Sequence, residues 1–98
     1  MEVIWTQRAS DNLDYFKAEI RKRSGLDDVA EKFYDKVIAR SEKLEVNPEW
    51  IGIPVKEYPG EGYKSLYVMH YRIIFRVAKD AVYIVAFLHK GMLVENRL

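Results

Sequence analysis

The side chains of this sequence best suited to chemistry are its two histidines and a set of arginines and lysines in its second half. His89 directly follows the apolar run 82–88, where a side chain leaves the core at a strand end. An imidazole there, with a pKa near ~6.5, can serve as a general acid or base. The competing role is a strand-terminal histidine bonded to the backbone. His70 falls in a predicted turn and reads as solvent-exposed. Arg72 and Arg76 share one face of a predicted strand, and Lys64 on the strand before and Lys90 after the last strand extend them into a predicted cationic strip. Four cations on one side can hold phosphates or a partner's carboxylates. Ordinary charge pairing with Glu57, Glu61 or Asp80 would equally account for them.

Other clusters lead away from cofactors and metals. Asp27, Asp28 and Glu31 stand at helical spacing, but with no histidine and no calcium-loop pattern they read as compensation of a helix N-terminus, so no metal is expected. The stretch Gly60-Glu61-Gly62 lacks the Gly-x-x-x-x-Gly-Lys pattern that cradles phosphate, and no nucleotide cofactor is expected either. The absence of cysteine removes disulfides, thiolate metal sites and cysteine nucleophiles. Tyr58, Tyr63 and Tyr67 flank the basic residues as stacking platforms or as edge packing. Trp5 and Trp50 read as packing anchors.

The elements that position these residues follow from periodicity. Glu2-Val3-Ile4-Trp5 is strand-like, and Thr6 can cap a helix whose stripe is Ala9, Leu13, Phe16 and Ile20, ended by Ser24-Gly25. Asp27 or Asp28 is expected to cap a second helix with the stripe Ala30, Phe33, Val37, Ser41 and Leu44, stopped before Asn47-Pro48. The short connection between the helices makes them an antiparallel hairpin. Residues 47–62, with all three prolines, read as a loop. Runs 63–68, 71–77 and 82–88 are aromatic and β-branched, and they form a meander of antiparallel strands. The fold class is therefore α+β, in the order β-α-α-β-β-β, an antiparallel sheet covered on one face by an N-terminal helix hairpin.

Composition narrows the classes further. Ninety-eight residues, 49% of them apolar, predict one domain over 1–98 with an adequate core. No apolar run approaches a membrane span, and the start is too short and acidic for a signal peptide, so a soluble cytoplasmic protein without membrane contact is expected. Net charge is only +1, so no general attraction to polyanions follows. Residues 1–50 hold nine Lys/Arg against eleven Asp/Glu, whereas residues 51–98 hold seven against four, which directs acidic partners to the second half.

Read together, Ala9 and Leu13 in the first helix, Asn47-Pro48, Gly62-Tyr63-Lys64-Ser65-Leu66, Tyr71-Arg72-Ile73-Ile74-Phe75-Arg76-Val77, Val82-Tyr83-Ile84-Val85 and Leu88-His89-Lys90-Gly91-Met92 resemble the RelE/ParE superfamily of toxins from bacterial type II toxin-antitoxin systems. The resemblance spans nearly the whole chain and implies the same fold. It also implies a toxin of a plasmid-stabilisation type, held in check by a cognate antitoxin, with which it would form a hetero-oligomer.

Two mechanisms belong to that superfamily. A RelE-like toxin is a ribosome-dependent mRNA endoribonuclease (mRNA interferase). On that alternative Arg72 would stabilise charge on the phosphoryl oxygens, Lys64 and Lys90 would add to it, and His89 would be the acid-base group. The segment after Gly91, however, has a single arginine and no tyrosine, unlike most such enzymes. A ParE-like toxin instead poisons DNA gyrase, and the Leu-His-x-x-Met ending and near-neutral charge favour it. The expected partner-facing residues are then Arg72, Arg76, Lys90, Met92 and Arg97. A third possibility is a non-toxic antitoxin-binding module.

Overall fold

The computed structural model describes residues 1–92, 94 and 97–98. Strand β1 (Glu2–Trp5) leads directly into helix α1 (Gln7–Ser24). Thr6 is the N-cap, its Oγ1 accepting from the Ala9 N–H at 3.3 Å, as its hydroxyl predicts. Gly25 ends the helix at φ 70°, a left-handed turn that a side chain would resist, and its N–H donates to the Arg21 carbonyl at 2.8 Å.

Helix α2 (Asp27–Glu42) starts one residue earlier than the sequence implies. Leu26 is the N-cap and supplies no side-chain bond, while Asp27 and Asp28 occupy the first turn. There they oppose the helix dipole, and Asp27 meets Arg21 at 2.7 Å. The stripe Ala30, Phe33, Val37 and Ser41 is buried as expected, and Leu44 continues it from a 3-10 turn at Lys43–Glu45.

The sheet order is β1-β5-β4-β3-β2, with β2 Ile53–Pro54, β3 Tyr63–Val68, β4 Tyr71–Val77 and β5 Ala81–His89. The α+β class and the helix hairpin on one sheet face are as the sequence reads. Strands β2 to β5 are antiparallel neighbours, whereas β1 joins β5 in parallel, so the complete sheet is mixed. Flanked by β1 and β4, β5 is central, which explains its apolar character on both faces.

The loop 47–62 is more ordered than its composition implies. It carries a 3-10 turn at Pro48–Trp50 and the two residues of β2, paired with Ser65 and Lys64. Gly52 lies between them at φ 84°, where a Cβ would sit 2.7 Å from the Ser65 carbonyl oxygen, so only glycine lets the backbones approach. Trp5 anchors β1 against Phe87 at 6.2 Å, but Trp50 is 85% exposed and anchors nothing. No sequence period places a side chain in an irregular turn.

Each face of the sheet has its own core. Under the helices, Phe16, Phe33, Tyr71 and Phe87 form an aromatic cluster in which Tyr71 and Phe87 stack at 5.2 Å. On the opposite face Val55, Ile74, Ala86, Leu88 and Val94 are buried, with Met92 and Leu98 packed against them. Met92, Val94 and Leu98 thus lie against the sheet face away from the helices. The Asn12 side chain accepts from the Phe87 N–H at 3.1 Å, covering a part of the β5 edge beyond the β1 pairing. Among the described residues no helix is long and apolar enough to cross a membrane.

Candidate functional site

The two-residue turn Met69-His70 fixes the register of β3 and β4 and with it the face on which each cation sits. Tyr67 lies opposite Arg72 and Tyr63 opposite Arg76, whereas Lys64 lies opposite Phe75. Side chains alternate along a strand, so Lys64 belongs to the helix-covered face and Arg72 and Arg76 to the other. The Lys64 ammonium turns to the Glu49 carbonyl. The single strip expected from the sequence is therefore divided between two faces.

Arg72 is not a surface cation. Its side chain is 11% exposed, and it donates to the Ser65 hydroxyl at 2.7 Å and lies 4.0 Å from Glu57 and 5.8 Å from the centre of the Tyr67 ring. Its Nε is buried without a partner among the described residues. The guanidinium is thus partly neutralised by its own chain, and Glu57 is the carboxylate that the pairing alternative named.

His89 is separated from Arg72 by an irregularity in β5. Phe75 pairs with Ile84 but Ile74 with Ala86, leaving Val85 as an extra residue. From that bulge onward the alternation of β5 is inverted. Arg72 lies opposite Leu88, and His89 opposite Tyr71 on the helix-covered face. The His89 ring meets Tyr71 edge-on at 5.4 Å, and its Nδ1 accepts from the Gly91 N–H at 3.3 Å. A general base held there stands across the sheet from Arg72.

The remaining candidates are scattered. Arg76 is exposed, its guanidinium 5.5 Å from the Tyr63 ring centre. Lys90 is exposed at the strand end, with its backbone N–H tied to the His70 carbonyl at 2.8 Å. Met92 is half-buried against the second core, and Arg97 is exposed. Leu93, Glu95 and Asn96 of the C-terminal segment lie outside the described residues.

The apolar surface around the helix hairpin, which the sequence leads one to expect as a groove for a partner's helix, has a defined lining. Ile20, Val29, Phe33, Met69 and Tyr71 floor an open groove of about 400 Å³ between the helix hairpin and the β3–β4 turn, and Lys32, Lys36 and His70 rim it. Met69 is 46% exposed and holds φ 52°, a conformation that favours glycine or asparagine. A large apolar residue there, where turn chemistry asks for something else, is the signal that marks the groove. Beneath it, burial raises the Tyr71 phenol above the ordinary tyrosine range, opposed by the nearby Arg23 charge.

Comparison with known proteins places this geometry. A family model for the ParE toxin of the type II toxin-antitoxin system parDE matches residues 3–94. The chromosomal ParDE toxin-antitoxin system of P. aeruginosa contains a chain with TM-score 0.80 and 21% identity, covering 91% of this chain and 95% of that one. The RelBE2 toxin-antitoxin complex of Mycobacterium tuberculosis contains another with TM-score 0.60 and 20% identity, covering 90% and 95%. No curated protein sequence matches.

Proposed function

This chain belongs to the ParE toxin family of type II toxin-antitoxin systems, and from that membership we propose that it arrests growth by poisoning DNA gyrase and is neutralised by a cognate antitoxin. The observation that carries the target is the division of the basic residues. Phosphoryl transfer within RNA needs an acid-base group and a cation converging on one phosphate. Arg72 and His89 stand on opposite faces of the sheet, and Arg72 is engaged by Ser65 and Glu57. That arrangement favours a toxin acting by protein contact over an mRNA nuclease.

The antitoxin reading draws on the same groove. Its apolar floor and lysine rim suit an acidic amphipathic segment, which would order on binding. Such a segment bridges the two helices and the β3–β4 turn, locking the toxin in a complex. Localisation in the cytoplasm follows from either target.

The test pairs two assays on the purified chain. Gyrase supercoiling is inhibited and cleaved DNA complexes accumulate, while mRNA on translating ribosomes stays intact. Codon-phased mRNA cuts abolished by Arg72→Ala would replace this reading with the endoribonuclease. The absence of both effects and of growth arrest would leave an antitoxin-binding module.

A further inference from the structure

The sheet face away from the helices carries a second concave surface, at the end where β4 turns into β5. Tyr63, Arg76 and Tyr83 lie opposite one another on β3, β4 and β5 and form one row across three strands. With Thr6 and Val85 they line a shallow groove of about 420 Å³ that contains no carboxylate among the described residues. Arg76 is exposed, and among the described residues no ion pair engages it. Its guanidinium is kept in place by the Tyr63 ring at 5.5 Å, and Tyr63 is itself braced edge-on by Tyr58 at 5.9 Å.

A second feature adds to the positive potential. Helix α1 begins at this groove, with Thr6 as its cap, and its first turn holds no acidic residue. The amide end of an 18-residue helix is therefore left without a compensating charge from its own first turn. A held guanidinium, an uncompensated helix start and a flat tyrosine around one groove suit a ligand that alternates negative charge with planar rings. An acidic peptide supplies the charge, but a ring for Tyr83 only where an aromatic side chain falls at the right spacing, whereas a nucleotide strand carries one beside every phosphate. A DNA duplex presents no free base face, and its charge density calls for a broader array of cations than one arginine.

We propose that the Tyr63–Arg76–Tyr83 row binds single-stranded nucleic acid, with a base stacked on Tyr83 and the adjoining phosphate held by Arg76. Neighbouring strands are about 4.8 Å apart, so the row spans roughly 10 Å, the scale of one nucleotide step with its base. Sheet faces with aromatic side chains bind single strands in this way, without reading sequence. The site is independent of which macromolecule the toxin arrests. It gives the chain a direct hold on a nucleic-acid strand.

The test is fluorescence anisotropy of labelled 12-nucleotide oligo-dT and oligo-rU with the purified full-length chain, in about 50 and 200 mM salt. Saturable binding is expected, and the tighter of the two strands names the natural one. Tyr83→Ala weakens it about tenfold while Tyr83→Phe restores it, as stacking requires. Arg76→Gln weakens it and lowers the salt dependence by the share of one phosphate, a slope change of about 0.7. Lys22→Gln, on the far end of α1, leaves it unchanged. Absence of saturable binding by folded protein, binding indifferent to Arg76→Gln, or equal displacement by inorganic phosphate or polyglutamate would each overturn the proposal. The last two competitors identify a bare anion site and an acidic-protein site respectively.

Discussion

Replacing Arg72 separates a structural arginine from a catalytic one. In Arg72→Ala the Cγ and Cδ methylenes are lost from a side chain that is only 11% exposed. At ~0.8 kcal/mol per buried methylene that is about 1.6 kcal/mol. The buried Ser65 hydroxyl also loses its 2.7 Å donor, for about 1 kcal/mol more. The sum, roughly 2.6 kcal/mol, lowers the melting temperature of a domain this size by about 10 to 20 °C. Arg72→Met keeps the stem and loses the same hydrogen bond, but it removes a buried guanidinium whose Nε has no partner among the described residues. Exchanging a buried charge for an apolar side chain of similar length is close to neutral, so this variant stays within ~1 kcal/mol of the parent. Differential scanning calorimetry of both variants, with growth arrest on induction, reads the result. Arg72→Met is expected to melt near the parent and to remain toxic. A folded Arg72→Met protein that has lost toxicity, or one as unstable as Arg72→Ala, would refute the reasoning.

Phe87→Ala empties the centre of the aromatic cluster, where Phe87 is fully buried against Trp5, Phe16, Phe33 and Tyr71; chemical denaturation should show a loss of about 3 to 5 kcal/mol. Gly52→Ala puts a Cβ 2.7 Å from the Ser65 carbonyl oxygen at a positive φ, and the expected cost is about 2 kcal/mol or more, with β2 detaching first in amide hydrogen exchange. Burial raises the Tyr71 phenol, with Arg23 opposing, so the folded state disfavours the phenolate. Its contribution to stability is complete below the unfolded tyrosine pKa of about 10 and is lost as pH rises through the higher folded value. Urea midpoints measured across that range should fall more gently in Tyr71→Phe than in the parent.

The helices and the three long strands were legible because each is long enough for its period to show. The stripe from Ala30 to Leu44 and the runs beginning at Tyr63 and Tyr71 are all found where hydrophobic spacing puts them. The strand β2 was not legible, since two residues carry no period and its position depends on Gly52 meeting Ser65. The placement of Lys64 was available in principle. A two-residue turn at Met69-His70 fixes which residues face one another, and it puts Tyr67 rather than Lys64 beside Arg72.

The orientation of His89 could not be read in that way. Counting forward along an uninterrupted β5 from the turn with β4 places His89 on the face of Arg72, and the extra residue at Val85 reverses it. Nothing in Ile84-Val85-Ala86 announces a bulge, because all three are apolar in a strand covered on both faces. Likewise Met92 is expected to face a partner, but the buried Ile74 and Leu88 form a second apolar face against which Met92 and Val94 pack. One local irregularity thus decides whether His89 and Arg72 converge.

The central claim is that these groups do not assemble a nuclease and that the chain acts on gyrase. The most direct measurement adds purified protein to gyrase with supercoiled plasmid and, in parallel, to ribosomes paused on a defined mRNA. Accumulation of linearised plasmid after detergent treatment, with full-length mRNA recovered, is the predicted result. Cleavage of the message in the ribosomal A site with gyrase unaffected would contradict it.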